Sequence, residues 1–430
     1  MNDRIVRPAA RAGDAVDSVT VSRVVDRPPE LRPSLGSAAP GGEAAWLLEE
    51  GRRQDSLADL LDGWCWRLVA AGLPLARMNV STGTLHPQLI GFGARWTAAS
   101  GRAEELALAH GLLESEAYRN SPFMRVYEYG ETIRRHLEGD ADALDFPVLR
   151  DLKAAGMTDY LVMPLLLGAI TRNTASFASD RPGGFTDAEI TRITALGPVL
   201  STVLELLAQR RVSSTLLDVY LGRKAGQRVL AGDIVRGSGE AIRAVIWSSD
   251  LRNFTGLSDR LPGTRVTDLL NRVFDTQVAA IHERGGEVLK FIGDGLVAIF
   301  PIDDIEFAMD QCARALAAAR AALAANATLN ADLAAEPDAP RVPLAVALHL
   351  GEVFFGNIGG QDRLDFTVIG PAVNAVSRLE KLAKTLGRDL VVTGDFVAAA
   401  RRRDFDSLGV HPLRGFSEPI EVFGLKPALT

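Results

Sequence analysis

Two aspartates stand where apolar strands are predicted to end or turn. Asp294 lies between Gly293 and Gly295 in a predicted tight turn, where glycine supplies positive φ without steric cost. Asp250 follows the apolar run at 242–247. A single aspartate in a turn is ordinary, but neighbouring strand ends lie together, so we expect these carboxylates to converge on a divalent cation. Oxygen ligands suit Mg²⁺, which keeps waters and takes substrate phosphates.

Three more polar side chains fit the chemistry of a nucleotide phosphate. Lys290 is a lone cation in the apolar strand before the turn. Asn374 and Arg378 are four residues apart in a predicted helix and share one face, which pairs a neutral donor with a phosphate-binding cation. Each residue alone is more often a cap or a surface charge. Together with two metal ions about 3.5–4 Å apart, they would stabilise an in-line phosphoryl displacement.

The elements that must position these residues alternate between strands and helices. The predicted order is a strand at 242–247, a helix at 264–284, a hairpin at 287–301, a helix at 305–333, strands at 344–350, 353–357 and 366–369, and a helix through 378–386. Strand, helix, hairpin, helix and strand is the order of a ferredoxin-like α+β core. The fold class predicted for this region is therefore ferredoxin-like α+β.

Three segments of this region resemble motifs of one enzyme family. They are IWSSDLRNFT at 246–255, KFIGDG at 290–295 and GPAVNAVSR at 370–378. In this order and spacing they resemble the catalytic domain of class III nucleotidyl cyclases over residues 241–425. The resemblance implies two Mg²⁺ or Mn²⁺ ions per site, bound by Asp250 and Asp294 with the Leu251 carbonyl as an additional ligand.

The resemblance also implies roles for the nucleotide-binding residues. Lys290 would select adenine, because an ammonium donates to adenine N1 whereas guanine presents N–H there. Asn374 would orient the ribose, and Arg378 would stabilise charge on the α-phosphate during attack by the ribose 3′-OH. In the family these residues and the metal ligands come from opposite subunits, which implies a homodimer with two equivalent sites.

The chain departs from the family pattern at two substrate-binding positions. Thr367 stands where aspartate is frequent, which resembles a bacterial subgroup with a lysine and a threonine as base-selecting residues; some members of it respond to bicarbonate. Phe416 stands where a triphosphate-binding lysine is expected, which leaves Arg414 as the substitute. A threonine hydroxyl still accepts from the adenine amino group, so the predicted substrate remains ATP.

The N-terminal half has a different pattern. Residues 1–43 are rich in Pro, Gly, Ala and Arg, and we expect a disordered leader. Residues 44–210 mix helix and strand, and the run at 174–208 resembles the end of a GAF-like α/β sensor domain, which implies an unknown small-molecule ligand. Residues 211–235 form a helical connector before the catalytic domain at 236–430. The apolar stripe at 196–220 could pack on the sensor domain or pair with a second copy.

Composition bounds the remaining alternatives. The chain has 430 residues, a net charge of −7 and two cysteines, which gives no global case for nucleic-acid binding, a zinc site or a disulfide framework. The most apolar run, at 160–170, is about half of the ~20 residues needed to cross a membrane. We expect no membrane span and a cytoplasmic protein. Phosphate-loop, nucleophile-elbow and zinc-protease motifs are missing from the sequence.

These observations predict a soluble adenylate cyclase that converts ATP to 3′,5′-cyclic AMP and pyrophosphate under the control of its N-terminal domain. Two alternatives stay open at this point. A guanylate cyclase is disfavoured by Lys290. A catalytically silent, nucleotide-binding signalling module is disfavoured by the complete set of Asp250, Asp294, Asn374 and Arg378.

Overall fold

The computed structural model describes residues 19–86, 89–140, 144–167, 171–336, 339–413 and 418–426. The chain divides into two compact units, Met1–Leu216 and Leu217–Thr430. Each unit has its own sheet and its own apolar core.

The described residues of the first unit form a seven-stranded sheet in the order β1-β4-β3-β2-β7-β6-β5. All its pairings are antiparallel. The strands are β1 (Val19–Asp26), β2 (Arg77–Gly83), β3 (Leu89–Thr97), β4 (Arg102–Ala109), β5 (Ile133–His136), β6 (Asp159–Leu167) and β7 (Thr171–Ser179). The helices are α1 (Glu43–Glu49), α2 (Leu57–Ala70), α3 (Glu116–Arg119), α4 (Pro122–Tyr129), α5 (Pro147–Ala154) and α6 (Asp187–Leu221).

Helices cover both faces of this sheet. In β6, Leu161 and Met163 pack in the core formed with α2 and α6. Tyr160 and Val162 of the same strand pack in a second core with α4 and α5. Successive side chains of a strand point to opposite faces, so a strand buried on both faces reads as a continuous apolar run. This explains the long apolar run in the sequence at 160–167.

The first strand corrects the expectation that residues 1–43 are a disordered leader. Residues 19–26 pair with β4 along most of their length, and Arg27 binds Asp62 of α2 with a closest N–O distance of 2.6 Å. The side chains of β1 are mostly exposed, so backbone pairing holds the strand and no apolar pattern announces it. Residues 1–18 lie outside the described residues.

Helix α6 begins with the predicted N-cap. The Glu189 N–H donates to Thr186 Oγ1 at 3.3 Å, and the Thr186 N–H donates to Glu189 Oε2 at 2.7 Å, which is a capping box. The helix is 35 residues long and contains Pro198. Within the described part of the chain, it is the one helix that is long and apolar enough to cross a membrane by length and composition, and 44% of its most apolar window is buried.

A buried ion pair in the first unit gives a stability prediction. Asp159 has a fully buried side chain, which accepts from Arg134 Nη2 at 2.8 Å and from the Phe185 N–H at 2.9 Å. Asp159→Ala removes the buried acceptor of both Arg134 and the Phe185 N–H, so we expect a loss of about 3–5 kcal/mol of unfolding free energy. Urea unfolding followed by tryptophan fluorescence suits the test, because four of the five tryptophans lie in this unit.

The exposed pair of Arg135 and Asp145, 2.6 Å apart, is the matched control. Both side chains are about two-fifths exposed, so Asp145→Ala is expected to cost about 1 kcal/mol or less. Equal losses in Asp145→Ala and Asp159→Ala would contradict the role of burial.

The described residues of the second unit form an eight-stranded sheet in the order β14-β15-β13-β11-β8-β10-β9, with β12 paired to β11. The strands are β8 (Gly239–Leu251), β9 (Glu287–Ile292), β10 (Gly295–Ile302), β11 (Leu344–Gly359), β12 (Leu364–Ile369), β13 (Leu390–Thr393), β14 (Phe405–His411) and β15 (Ile420–Leu425). The helices are α7 (Arg223–Leu230), α8 (Phe254–Ser258), α9 (Gly263–His282), α10 (Ala308–Leu333), α11 (Pro371–Thr385) and α12 (Gly394–Ala400).

The central strand β8 alternates between two helical layers. Val245 and Trp247 pack with α9 and α10, whereas Ala244 and Ile246 pack with α7 and α11. This alternation puts Asp250 on the α11 side of the sheet. The mixed α+β class predicted for this region is confirmed by its elements and layers.

The long strand β11 corrects the prediction of two strands at 344–350 and 353–357. It runs through Gly351 without interruption. A Cβ at Gly351 would lie 2.6 Å from the Ala372 Cβ, so this glycine permits the close approach of α11 rather than a break in the strand.

A buried histidine gives a pH prediction for this unit. His349 in β11 contacts Thr393 Oγ1 through Nδ1 at 2.9 Å, and burial lowers its pKa although Asp395 opposes the shift. A lowered folded-state pKa means that the unfolded chain takes up the proton first, so stability present above about pH 6.5 is lost on acidification. His349→Gln is expected to reduce the fall in melting temperature between about pH 7.5 and 5.5. His282→Gln, at an exposed position, should leave it unchanged; equal slopes in all three proteins would refute the assignment.

Candidate active site

The two predicted metal-binding aspartates lie side by side. Asp250 is near the end of β8, and the register pairs Ser249 with Leu296 of β10, which brings the β9–β10 turn next to it. The Asp250 and Asp294 carboxyl groups are close enough to interact directly. The structure therefore brings together the two carboxylates that the sequence predicted to converge.

Each glycine of the turn has a different function. Gly293 has a φ of 61°, which glycine adopts at no steric cost. A Cβ at Gly295 would lie 2.2 Å from the Ser249 carbonyl oxygen, so a side chain there would push the turn away from β8. The Gly-Asp-Gly sequence is thus required both for the turn and for the approach of Asp294 to Asp250.

The electrostatics of the pair suit a cation. Burial, then the hydrogen bond and the charge of Asp250, raise the pKa of Asp294 to about 6, while Lys384 acts in the opposite direction. Two carboxylates in contact disfavour each other's ionisation, and a divalent ion relieves that repulsion. The Leu251 N–H donates to Asp250 Oδ1 at 3.1 Å and orients that carboxylate.

The donor set fits a hard divalent ion. No group of three or more His, Cys, Asp and Glu side chains is clustered within the described ranges. The pair of carboxylates would therefore leave coordination positions for a backbone carbonyl, water and phosphate oxygens, which is how Mg²⁺ is commonly held.

Two further residues complete this site and were missed by the sequence analysis. Lys384 in the last turn of α11 forms an ion pair with Asp250 Oδ2, and its Nζ lies 3.4 Å from Glu380 Oε1. Burial alone would lower the pKa of Lys384, but Asp250 and Glu380 outweigh burial and raise it. The available signals were the four-residue spacing of Glu380 and Lys384 and the placement of Asp250 on the α11 side of the sheet.

The two predicted base-selecting residues lie on strands that contact each other. Lys290 in β9 pairs with Val297, Thr367 in β12 pairs with Gly356, and β9 contacts β12. Thr367 is 5% exposed, and its hydroxyl has no hydrogen-bond partner among the described residues. A buried unpaired hydroxyl costs roughly 1–3 kcal/mol, so a ligand group that bonds to it would be favoured.

Helix α11 presents the predicted ribose and phosphate residues together. Arg378 Nη1 donates to the Asn374 carbonyl oxygen at 3.0 Å, so both residues lie on one helix face as predicted. Asn374 is exposed. It is ten residues before Lys384, or ~15 Å along the helix axis. Within one chain, Asn374 is therefore far from the end of α11 at which Lys384 pairs with Asp250. Arg414, the predicted triphosphate ligand, lies outside the described residues.

One family model matches the part of the chain that carries these residues. Residues 241–425 match the family described as the adenylate and guanylate cyclase catalytic domain. The matched residues lie within the second unit.

The chain is similar to relatives named adenylate cyclase and to solved structures of both adenylyl and guanylyl cyclases. An adenylate cyclase of Anabaena cylindrica is 30% identical over 161 residues, which cover 37% of this chain and 31% of that protein. The structure of the adenylyl cyclase CyaB from P. aeruginosa covers 44% of this chain and 97% of its own, with 23% identity and a TM-score of 0.41. That of the guanylyl cyclase Cya2 covers 45% and 97%, with 24% identity and a TM-score of 0.38. This chain spans about a third of the length of the curated relatives it matches.

Proposed function

We propose that this protein is an adenylate cyclase that converts ATP to 3′,5′-cyclic AMP and pyrophosphate. The observation that carries the proposal is the contact of Asp250 with Asp294 at the end of β8. Two carboxylates held together, with the Lys384 ammonium paired to one of them, are suited to divalent ions and a triphosphate. The family match at 241–425 supports the same reaction class.

The chain's own residues would divide the reaction between them. Asp250, Asp294 and the Leu251 carbonyl would hold two Mg²⁺ or Mn²⁺ ions, which would polarise the α-phosphate and favour ionisation of the ribose 3′-OH. Asn374 would hold the ribose so that its 3′ oxygen faces the phosphorus. Arg378 would stabilise the negative charge that grows on the α-phosphate oxygens as the pyrophosphate leaves.

Base selection is assigned to Lys290 and Thr367. The Lys290 ammonium would donate to adenine N1, and the Thr367 hydroxyl would accept from the adenine amino group. The buried, unpaired hydroxyl of Thr367 supports this role. Arg414 is proposed as the triphosphate ligand in place of the family's lysine.

Membership of the subgroup that responds to bicarbonate stays a hypothesis. It is to be dropped if the cyclase activity at fixed pH does not change when bicarbonate is added.

A complete site would require two copies of the chain. Asn374 lies near the first turn of α11, whereas Asp250 pairs with Lys384 in its last turn, ~15 Å away along the helix axis. A second protomer is therefore the natural source of the missing half. We therefore propose a homodimer with two equivalent sites. The exposed apolar side chains of Phe291, Ile292 and Ile369, which flank the base-selecting residues, are consistent with a covered surface.

Regulation is assigned to the first unit, as a GAF-like sensor at 44–210 that acts through the helical connector at 211–235. The unit contains a cavity of about 960 Å³ lined by Phe92, Glu105 and residues of α6 that include Arg211. Arg211 pairs with Glu105 and stacks 3.6 Å from the Phe92 ring centroid. A small molecule in this cavity would contact the helix that leads into the connector.

A cytoplasmic location and the lack of a membrane span belong to this proposal.

The direct test is cyclic nucleotide production by the full-length protein with Mn²⁺ or Mg²⁺. We expect cyclic AMP from ATP and much less cyclic GMP from GTP. A preference for GTP would favour the guanylate cyclase alternative, and no product from either nucleotide would favour the silent nucleotide-binding module. The ratio of activities between the full chain and the 217–430 unit measures whether the first unit activates or restrains catalysis.

A further inference from the structure

Lys384 links a predicted metal ligand to a buried carboxylate on its own helix. Its ammonium pairs with Asp250 and lies 3.4 Å from Glu380. The side chain of Lys384 is 33% exposed, that of Asp250 26% and that of Glu380 7%. Two carboxylates therefore share one partly solvated cation.

A divalent ion at Asp250 and the Lys384 ammonium would compete for the same oxygen. Like charges ~4 Å apart near a protein surface repel appreciably, so the ion and the ammonium are not expected to occupy Asp250 together. The ammonium must then find another acceptor.

Glu380 is that acceptor. It precedes Lys384 by four residues on α11, so the two side chains lie on one face and a rotamer change is sufficient. Its buried Oε1 already lies 3.4 Å from the Lys384 Nζ and has no closer hydrogen-bond partner among the described residues, so the ammonium can move fully onto this carboxylate. Without a cation nearby, burial of this carboxylate would be costly.

We propose that Lys384 is an internal cation that holds Asp250 in the metal-free protein and transfers to Glu380 when a divalent ion binds. The proposal rests on the proposed function, because it takes Asp250 and Asp294 as the metal ligands. The net free energy of metal binding is then the gain from the divalent ion at Asp250 less the cost of moving the ammonium to Glu380. Lys384 and Glu380 therefore set the ion concentration at which the site fills. Lys384 is a positioning residue in this scheme.

The test is Mn²⁺ binding to the full-length protein without nucleotide, measured from the paramagnetic resonance signal of free Mn²⁺. Lys384→Met keeps the aliphatic chain and removes the competing charge, so we expect binding to tighten by roughly 3- to 30-fold. Glu380→Gln removes the acceptor for the displaced ammonium, so binding should weaken severalfold. Lys381→Met, at an exposed position on the same helix, should bind Mn²⁺ like the unaltered protein.

A double variant keeps the test valid if a single variant unfolds. Lys384→Met with Glu380→Gln leaves no buried unpaired charge, and it should also bind Mn²⁺ more tightly than the unaltered protein. Unchanged or weaker binding in both Lys384→Met and the double variant would overturn the exchange. Asp250→Asn distinguishes failure of the exchange from failure of the proposed metal site. If this variant does not weaken Mn²⁺ binding, the metal site of the proposed function is itself refuted.

Discussion

Asp294→Asn is expected to reduce the rate of cyclic AMP formation by roughly 10²- to 10³-fold or more. The substitution keeps the size of the side chain and the Gly-Asp-Gly backbone, but it removes one of the two charges that would hold the metal ions. It also removes the charge repulsion with Asp250, which keeps its ion pair with Lys384. We therefore expect lost activity with an unchanged or slightly raised melting temperature.

The control for this prediction is Asp303→Asn, an exposed carboxylate just beyond β10. It should keep full activity. Initial rates with ATP and Mn²⁺, measured beside thermal unfolding of each variant, distinguish a chemical role from a structural one. Near-normal activity in Asp294→Asn would remove the carboxylate pair from the mechanism. A large fall in melting temperature would instead assign Asp294 a structural role.

The predictions that succeeded depend on local chemistry. The turn around Asp294, the shared face of Asn374 and Arg378 and the cap at Thr186 each need only a few neighbouring residues to be recognised. The order of strands and helices predicted the α+β class of the second unit for the same reason. Convergence of Asp250 and Asp294 followed from one topological rule, that neighbouring strands end together.

The features that were missed depend on tertiary packing. The contact of Lys384 with Asp250 requires knowing which face of α11 meets the sheet, and that is set by Gly351 and Ala372 in the core. Strand β1 has few buried side chains, so its existence depends on a partner strand about eighty residues away in sequence. The gap predicted between the strands at 344–350 and 353–357 contains Gly351, and a close-approach glycine and a turn glycine look alike in sequence.

Lys290→Glu is expected to reverse the base preference of the site. A carboxylate accepts the N–H that guanine presents, whereas it faces the unprotonated N1 of adenine without a proton to donate. The loss of one charge-assisted hydrogen bond is worth about 1.5–3 kcal/mol, so kcat/KM for ATP should fall by roughly 10- to 100-fold. The kcat/KM for GTP should stay the same or rise, because the Thr367 hydroxyl can donate to the guanine carbonyl oxygen as well as accept from the adenine amino group.

The measurement is the ratio of kcat/KM for ATP to that for GTP, determined with Mn²⁺ for the unaltered protein and the variant. Lys426→Glu is the control of equal charge change, since Lys426 follows β15 and is half-exposed; its ratio should match that of the unaltered protein. Because Lys290 lies four residues before Asp294 on the same hairpin, an equal loss for both nucleotides would mean that the new carboxylate disturbs the metal site. A ratio unaffected by Lys290→Glu would contradict the assignment of base recognition to Lys290.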